Sequence, residues 1–317
     1  LPARRPVALA AMVDKRGKEA GLRGAAAVDE VECRYHGRDF TAAEMKLMRE
    51  LIATEPTRSA IASAFCRRVG WVKPDGGLKS MMARVTMLSM HRDGIIELPP
   101  PSRAPPVLKP IVFGPDTDPP PSASPKTLDE VRPLDIRIVA GGTREGKLWN
   151  EFVARYHYLG YTRLVGAQMR YAVHDRNGRP LAMLGFSTAA WRLAPRDAFI
   201  GWTSELREKN LPLVVDNPRF LILPWMVIPN LGSHILSLVR RRLPEDWTAR
   251  YATTPVLCET FVEIPRHSGG VYRASGWIRV GTTKGRGRYD RYNKPDKPKK
   301  DIWLCPLRKG WKRTLNR

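Results

Sequence analysis

Twelve of the 35 residues from Pro99 to Pro133 are proline. Each proline removes a backbone donor and fixes φ, so the stretch cannot run as a helix or an inner strand. It reads as an extended, semi-rigid linker, and it divides the chain. Residues 1–35 are unassigned, 36–98 form a small module, and 134–317 form a larger one. A chain of 317 residues is long enough for cores that need no metal or disulfide staple. Cys33, Cys66, Cys258 and Cys305 stand far apart, with no Cys-x-x-Cys pair. That pattern argues against a zinc ribbon or a disulfide framework and suits a reducing, cytoplasmic setting. No apolar run approaches the roughly 20 residues of a membrane span. The Val7–Val13 patch is too short for a secretory signal.

The smaller module reads as helical. Thr41 and Glu44 have the form of a capping box opening a helix that runs to about Thr54. A second helix follows the break at Pro56, from Arg58 to Arg68. A third, from Leu78 to His91, carries Leu78, Met81, Val85 and Leu88 at helical spacing. Met81, Met82, Met87 and Met90 read as core filler. Gly94 ends the third helix, and Ile95–Leu98 reads as a short strand. Three helices and a strand are the order of a winged helix-turn-helix. Lys79 and Arg84 would then flank a DNA groove from the third helix; a small packing module is the alternative.

In the larger module, Arg144–Arg155 is helical, and Met169–His174 and Pro180–Ser187 alternate as strands around an Asn177-Gly178 turn. Thr203–Asn210 reads as a short helix and Phe220–Trp225 as a buried strand. Asn230 then caps a helix, Leu231–Leu243. Val256–Ile264 is the next strand, followed by a short helix, Gly269–Ser275, and a last strand, Trp277–Thr282. The expected architecture is α/β, with a mixed sheet of N-acetyltransferase-like order preceded by a small winged-helix-like domain. The turn Pro224–Ser233 has one glycine, Gly232, and a proline, Pro229. Proline supplies no amide, which argues against a coenzyme A pyrophosphate cradle, so acyl transfer ranks third among the functions.

The net charge of +23 points to a polyanionic partner, first of all DNA. Arg273–Arg317 holds 15 Lys/Arg against three acids. Lys284, Arg286, Arg288 and Arg291 cluster around Gly281, Gly285 and Gly287, with Tyr289 and Tyr292 between them. Glycines let amides approach phosphates, arginines fork onto them, and tyrosines stack on bases.

Glu259 alternates onto the same face as Leu257 and Phe261. A carboxylate there must be paired or functional, because an unpaired buried charge is costly. Arg196, Arg219 or Arg273 can pair it. Alternatively, Asp197 and Glu259 with His157 can hold Mg2+ or Mn2+ for phosphodiester cleavage, aided by Asp216 or Asn217. Cys258 as a nucleophile, with His157 or His267 as base, is disfavoured because alternation buries it away from Glu259.

The blocks RYHYLGY, LAMLGFSTAAWRLAPRDAFIGW, NPRFLILPW, NLGSHIL, LCETFVEI, VYRASGW and GTTKGRGR occur in that order. Together they resemble the Druantia anti-phage protein A family over roughly Leu148–Leu307. The upstream stretch, from GRDFTAAEM to GIIELPPP, is similar to the region found there in the same family. The resemblance implies defence against phage, work on DNA in a bacterial cytoplasm, and kinship with domains that accompany transposase-like proteins. It places the functional polar positions at His157, Asp197, Asn217, Arg219, Glu259 and Tyr272 and at the loop Gly281–Arg288; Arg273, next to Tyr272, is a further positioning candidate from the residues themselves. Two readings follow: a DNA-binding protein that cleaves or processes a strand with a divalent metal, or a non-catalytic DNA-recognition subunit that recruits partners such as a helicase.

Overall fold

Thr41 ends a hairpin and starts a helix. In the computed structural model, which describes residues 30–103, 110–121, 124–286 and 295–317, strands β1 (Val31–Tyr35) and β2 (Arg38–Thr41) pair antiparallel. His36 and Gly37 both take positive φ, 50° and 78°, as a tight two-residue turn requires. The Thr41 hydroxyl accepts the Glu44 amide at 3.2 Å and opens α1 (Ala42–Thr54). The Glu44 carboxylate does not close the expected box. It pairs with Arg38 instead, whose guanidinium lies 4.4 Å over the Phe40 ring.

Helices α2 (Arg58–Arg68) and α3 (Ser80–Arg92) follow. The chain divides into two units, and the first holds the described residues up to Phe65 together with Ser80–Pro100. Its core is Phe40, Met45, Met48, Ile61, Phe65, Met87 and Met90. The buried face of α3 is Ala83, Thr86, Met87 and Met90, whereas Met81, Met82 and Val85 are exposed. The expected face of α3 is thus rotated, because its apolar residues encircle the helix and give no single stripe. Of the four methionines read as core filler, two are core. The strand expected at Ile95–Leu98 does not form. Ile96 and Leu98 are buried, but the segment bonds to a side chain: His91 Nδ1 lies 3.2 Å from the Ile96 carbonyl and 3.3 Å from the Leu98 amide. The order is therefore a hairpin and then three helices, with no strand after the third.

The second unit comprises Cys66–Lys79 and the described residues from Pro101 onward. Part of the proline-rich stretch folds onto it. Gly114 donates its amide to Glu151 at 2.8 Å, and Tyr156 donates to the Thr117 carbonyl at 2.7 Å. A single helical turn, α4 (Leu128–Val131), precedes β3 (Asp135–Ile138). Then come α5 (Arg144–Tyr156), β4 (Gln168–His174) and β5 (Pro180–Thr188). Next are α6 (Ala194–Ile200), α7 (Ser204–Asn210) and β6 (Val214–Ile222). The chain ends with α8 (Leu231–Tyr251), β7 (Leu257–Glu263), α9 (Gly270–Ala274), β8 (Ile278–Thr282), β9 (Lys300–Pro306) and α10 (Trp311–Leu315). Helix α8 runs past Pro244 to Tyr251, two turns beyond the expected end.

The architecture is α/β with one mixed seven-stranded sheet of order β3-β4-β5-β6-β7-β9-β8. Every pairing is antiparallel except β6 with β7, which is parallel. One core lies on the face covered by α5 and α8, including Trp149, Phe152, Ile235, Val239 and Cys258. A second, on the opposite face, includes Ile200, Trp202, Leu257, Ile302 and Leu304. All four cysteines are free thiols. No helix among the described residues is long and apolar enough to cross a membrane.

Candidate functional site

The parallel β6–β7 ladder is short. It joins Val214 to Leu257, Val215 to Cys258 and Asp216 to Glu259, and then ends. Beyond it the strands no longer pair, and side chains take over the backbone bonding. The Thr260 hydroxyl donates to the Asn217 carbonyl at 2.8 Å. The Asn217 amide donates to the Gly185 and Arg219 carbonyls at 2.9 and 3.0 Å. Tyr272 on α9 brings its hydroxyl to 3.4 Å from Asn217 Oδ1, and burial pushes that phenol well above its usual range.

Arg219 is 7% exposed. It donates to the Gly160 carbonyl (3.1 Å), the Pro218 carbonyl (2.8 Å) and the Thr162 hydroxyl (2.9 Å). All three acceptors are neutral, the Asp216 carboxylate acts on the guanidinium through space, and the side chain ties β6 to the turn after α5. That turn carries His157. The His157 Nδ1 accepts the Leu159 amide at 3.2 Å, and its ring stacks on Tyr158, centroids 4.9 Å apart. Burial, with help from Arg219, His267 and Lys300, lowers His157 to about 4, so the imidazole is neutral at physiological pH.

The other side of the gap is basic as well. Lys300, at the start of β9, lies 3.9 Å from Glu263 at the end of β7. The Arg266 guanidinium sits 5.0 Å over the Tyr158 ring, and His267 meets that ring edge-on at 5.1 Å. The loop between β8 and β9 leaves from this place: Thr283 donates its amide to the Lys300 carbonyl at 2.8 Å, and Ile264 donates to the Lys299 carbonyl at 3.0 Å. Lys284 and Arg286 are exposed on its described part. Arg288 and Arg291, with Tyr289 and Tyr292, fall outside the described residues.

Asp197 and Glu259 meet elsewhere. Glu259 is fully buried and accepts the Ala190 amide at 2.8 Å and Arg196 Nη1 at 2.9 Å. Asp197 Oδ1 accepts Arg196 Nε at 2.9 Å and Trp202 Nε1 at 3.1 Å. Asp197 Oδ2 accepts the Leu193 amide at 3.2 Å. Arg196 is itself fully buried and lies 5.6 Å over Trp202. Burial lifts the Glu259 carboxyl above its ordinary range, against the pull of Arg196. The two carboxylates are thus brought together by a guanidinium that stands where a divalent ion would have to sit. His157 belongs to the other cluster. These residues do not fit Mg2+ or Mn2+, and among the described residues no group of three His, Cys, Asp or Glu side chains could hold a metal.

The remaining sequence candidates are dispersed. Arg273 is exposed, 5.9 Å over Trp303, and pairs with neither carboxylate. Arg84 is exposed on α3. Lys79 lies before α3, in a turn closed by the Val72–Leu78 bridge, with its amide on the Trp71 carbonyl at 3.0 Å. It is therefore not on the helix face the sequence suggested. Gly232 has a packing role: a Cβ there would lie 2.5 Å from Val271 Cγ2 and 3.0 Å from Ile222 Cδ1. Arg266 escaped the sequence reading, and the grouping of Tyr158, His267 and Lys300 around it was not foreseen. The only signals were the aromatic run RYHYLGY and the Arg-His pair after β7.

A family model described as Druantia protein DruA matches residues 119–297. No curated protein matches the chain. Among solved structures, the chain is similar to a protein assigned as a phosphinothricin N-acetyltransferase (15% identity, 56% of this chain, 99% of that one, TM-score 0.37). It is similar to spermidine N-acetyltransferase from Vibrio cholerae (9%, 55% and 95%, TM-score 0.36). A third is nourseothricin acetyltransferase (10%, 55% and 99%, TM-score 0.33).

Proposed function

The chain belongs to the Druantia protein DruA family, and from that membership we propose that it is the DNA-recognition subunit of an anti-phage system, acting by recruiting partner proteins such as a helicase. The observation that carries this reading is the set of surface cations Arg266, Lys300, Lys284 and Arg286 at the end of β7 and the base of the β8–β9 loop, with the buried Arg219 adding positive charge behind them. Surface cations that neutralise phosphates release counterions from the DNA, and that release drives binding. The net charge of +23 adds long-range attraction. Helix α3, with Arg84 exposed, supplies a second contact in this reading.

Metal-dependent strand cleavage is the finer alternative, and the Arg196 bridge weighs against it. A cation could enter there only by displacing a fully buried guanidinium that already bonds both carboxylates. Titrating the full chain into labelled DNA at rising salt tests recognition. Binding that weakens steeply with salt is expected; no binding at low salt would remove the reading. Cleavage of that DNA that requires a divalent ion, and that stops in Asp197→Asn and Glu259→Gln, would replace recruitment with strand processing.

A further inference from the structure

We propose that Tyr158 is a stacking platform for an unpaired base, so that the larger module takes single-stranded DNA in preference to duplex. The inference rests on the DNA reading above and names the form of DNA at that site. Tyr158 is 36% exposed, although its turn is held firmly. The Gly160 amide donates to the His157 carbonyl at 2.7 Å, and Arg219 holds the Gly160 carbonyl. The neutral His157 ring backs Tyr158 at an interplanar angle of 26°. A fixed, uncharged, two-ring stack at the surface suits a base, because every base has a π-face, and only the Arg266 guanidinium over the ring has to turn aside to admit one.

The surroundings suit what is attached to a base. Arg266 lies over the Tyr158 ring with 55% of its side chain exposed. Its ion pair with Glu263 is loose, at 3.5 Å. It can turn to a phosphate and leave the ring to the base. Lys300 and the Lys284–Arg286 segment continue the positive charge away from the ring along the loop base. Duplex DNA keeps its bases stacked inside and offers this ring no face. An unpaired strand offers a free base for the ring and phosphates for the cations beside it.

The test measures anisotropy of a labelled 12-nucleotide oligothymidylate and of a blunt 12-base-pair duplex with the full chain at one salt concentration. Wild type should bind the single strand more tightly. Tyr158→Ala should weaken single-strand binding about tenfold while changing duplex binding less than twofold. Tyr158→Phe should retain the preference. Tyr158→Leu, which keeps apolar bulk without a π-face, should lose it, and it serves if the alanine variant misfolds. Equal loss on both DNA forms, or no loss on either, would overturn the proposal while leaving DNA recognition in place. Failure of wild type to bind either form would instead strike the DNA reading itself.

Discussion

Arg196 donates to Glu259 at 2.9 Å with both side chains at zero exposure. This pair explains why a carboxylate sits on an apolar strand face. The same guanidinium bonds Asp197 and the Ala190 carbonyl, so it clamps α6 and the preceding loop to β7. Glu259→Gln should leave a buried, half-compensated guanidinium and cost about 3–5 kcal/mol. Thermal melting should fall by roughly 10 °C, with affinity for DNA retained in the folded fraction. Pairing Glu259→Leu with Arg196→Met should recover much of the loss, because a well-packed apolar pair avoids the desolvation cost. No drop in melting for the single variant would show that the clamp carries no stability.

Gly232 makes a second stability prediction. It is the second residue of α8, and its missing Cβ makes room for Val271 on α9 and Ile222 on β6. Gly232→Ala gains helix propensity, at most about 1 kcal/mol. It also puts a methyl 2.5 Å from Val271 Cγ2, so that branched side chain has to shift, and overpacking of that kind costs ~1–3 kcal/mol. Net destabilisation is expected by chemical denaturation, and Val271→Ala in the same chain should relieve it. Stabilisation by Gly232→Ala alone would show that α8 and α9 yield freely.

His157 makes the fold sensitive to acid. The folded chain resists protonating it until about pH 4, whereas the unfolded chain takes up the proton near the ordinary value of 6.5. Its contribution is therefore complete above 6.5 and is lost as pH falls from 6.5 towards 4. His157→Asn keeps an acceptor for the Leu159 amide and removes the titration. Denaturant midpoints between pH 7 and 5 should fall less steeply in that variant than in wild type. Parallel slopes would mean that His157 titrates alike in both states.

What the sequence revealed followed local rules. Alternation and Asn177-Gly178 located β4 and β5, whose turn Asp175 closes by accepting the Asn177 and Arg179 amides. Glu259 announced itself by its place among Leu257 and Phe261, and Arg196 was among its named partners. What stayed hidden depended on distant contacts. Strand β9 begins at Lys300, after a lysine- and proline-rich run that reads as tail. It becomes a strand because β7 and β8 both pair with it. His157 was grouped with the carboxylates because no local feature ties it to Arg219, 62 positions away in sequence. The bonds of Arg219 to Gly160 and Thr162, which bring its charge near His157, exist only once β6 lies beside the turn after α5. The rotated face of α3 has a similar cause, since apolar residues all round a helix leave its orientation to its neighbours.

The last prediction separates loop charge from buried charge. Lys284 and Arg286 are exposed, so replacing them costs the fold little. Arg219 is buried and holds the Gly160–Thr162 turn, so replacing it would confound binding with folding. Lys284→Ala with Arg286→Ala should therefore keep the melting temperature within a degree or two. If each side chain neutralises one phosphate, the double variant should flatten the slope of log K against log salt on a duplex by about 2. The loss should be alike for all base sequences, because phosphate contacts carry no base information. Isothermal binding at four salt concentrations measures it. An unchanged slope would place the phosphate contacts elsewhere, with Arg84 on α3 the next residue to replace.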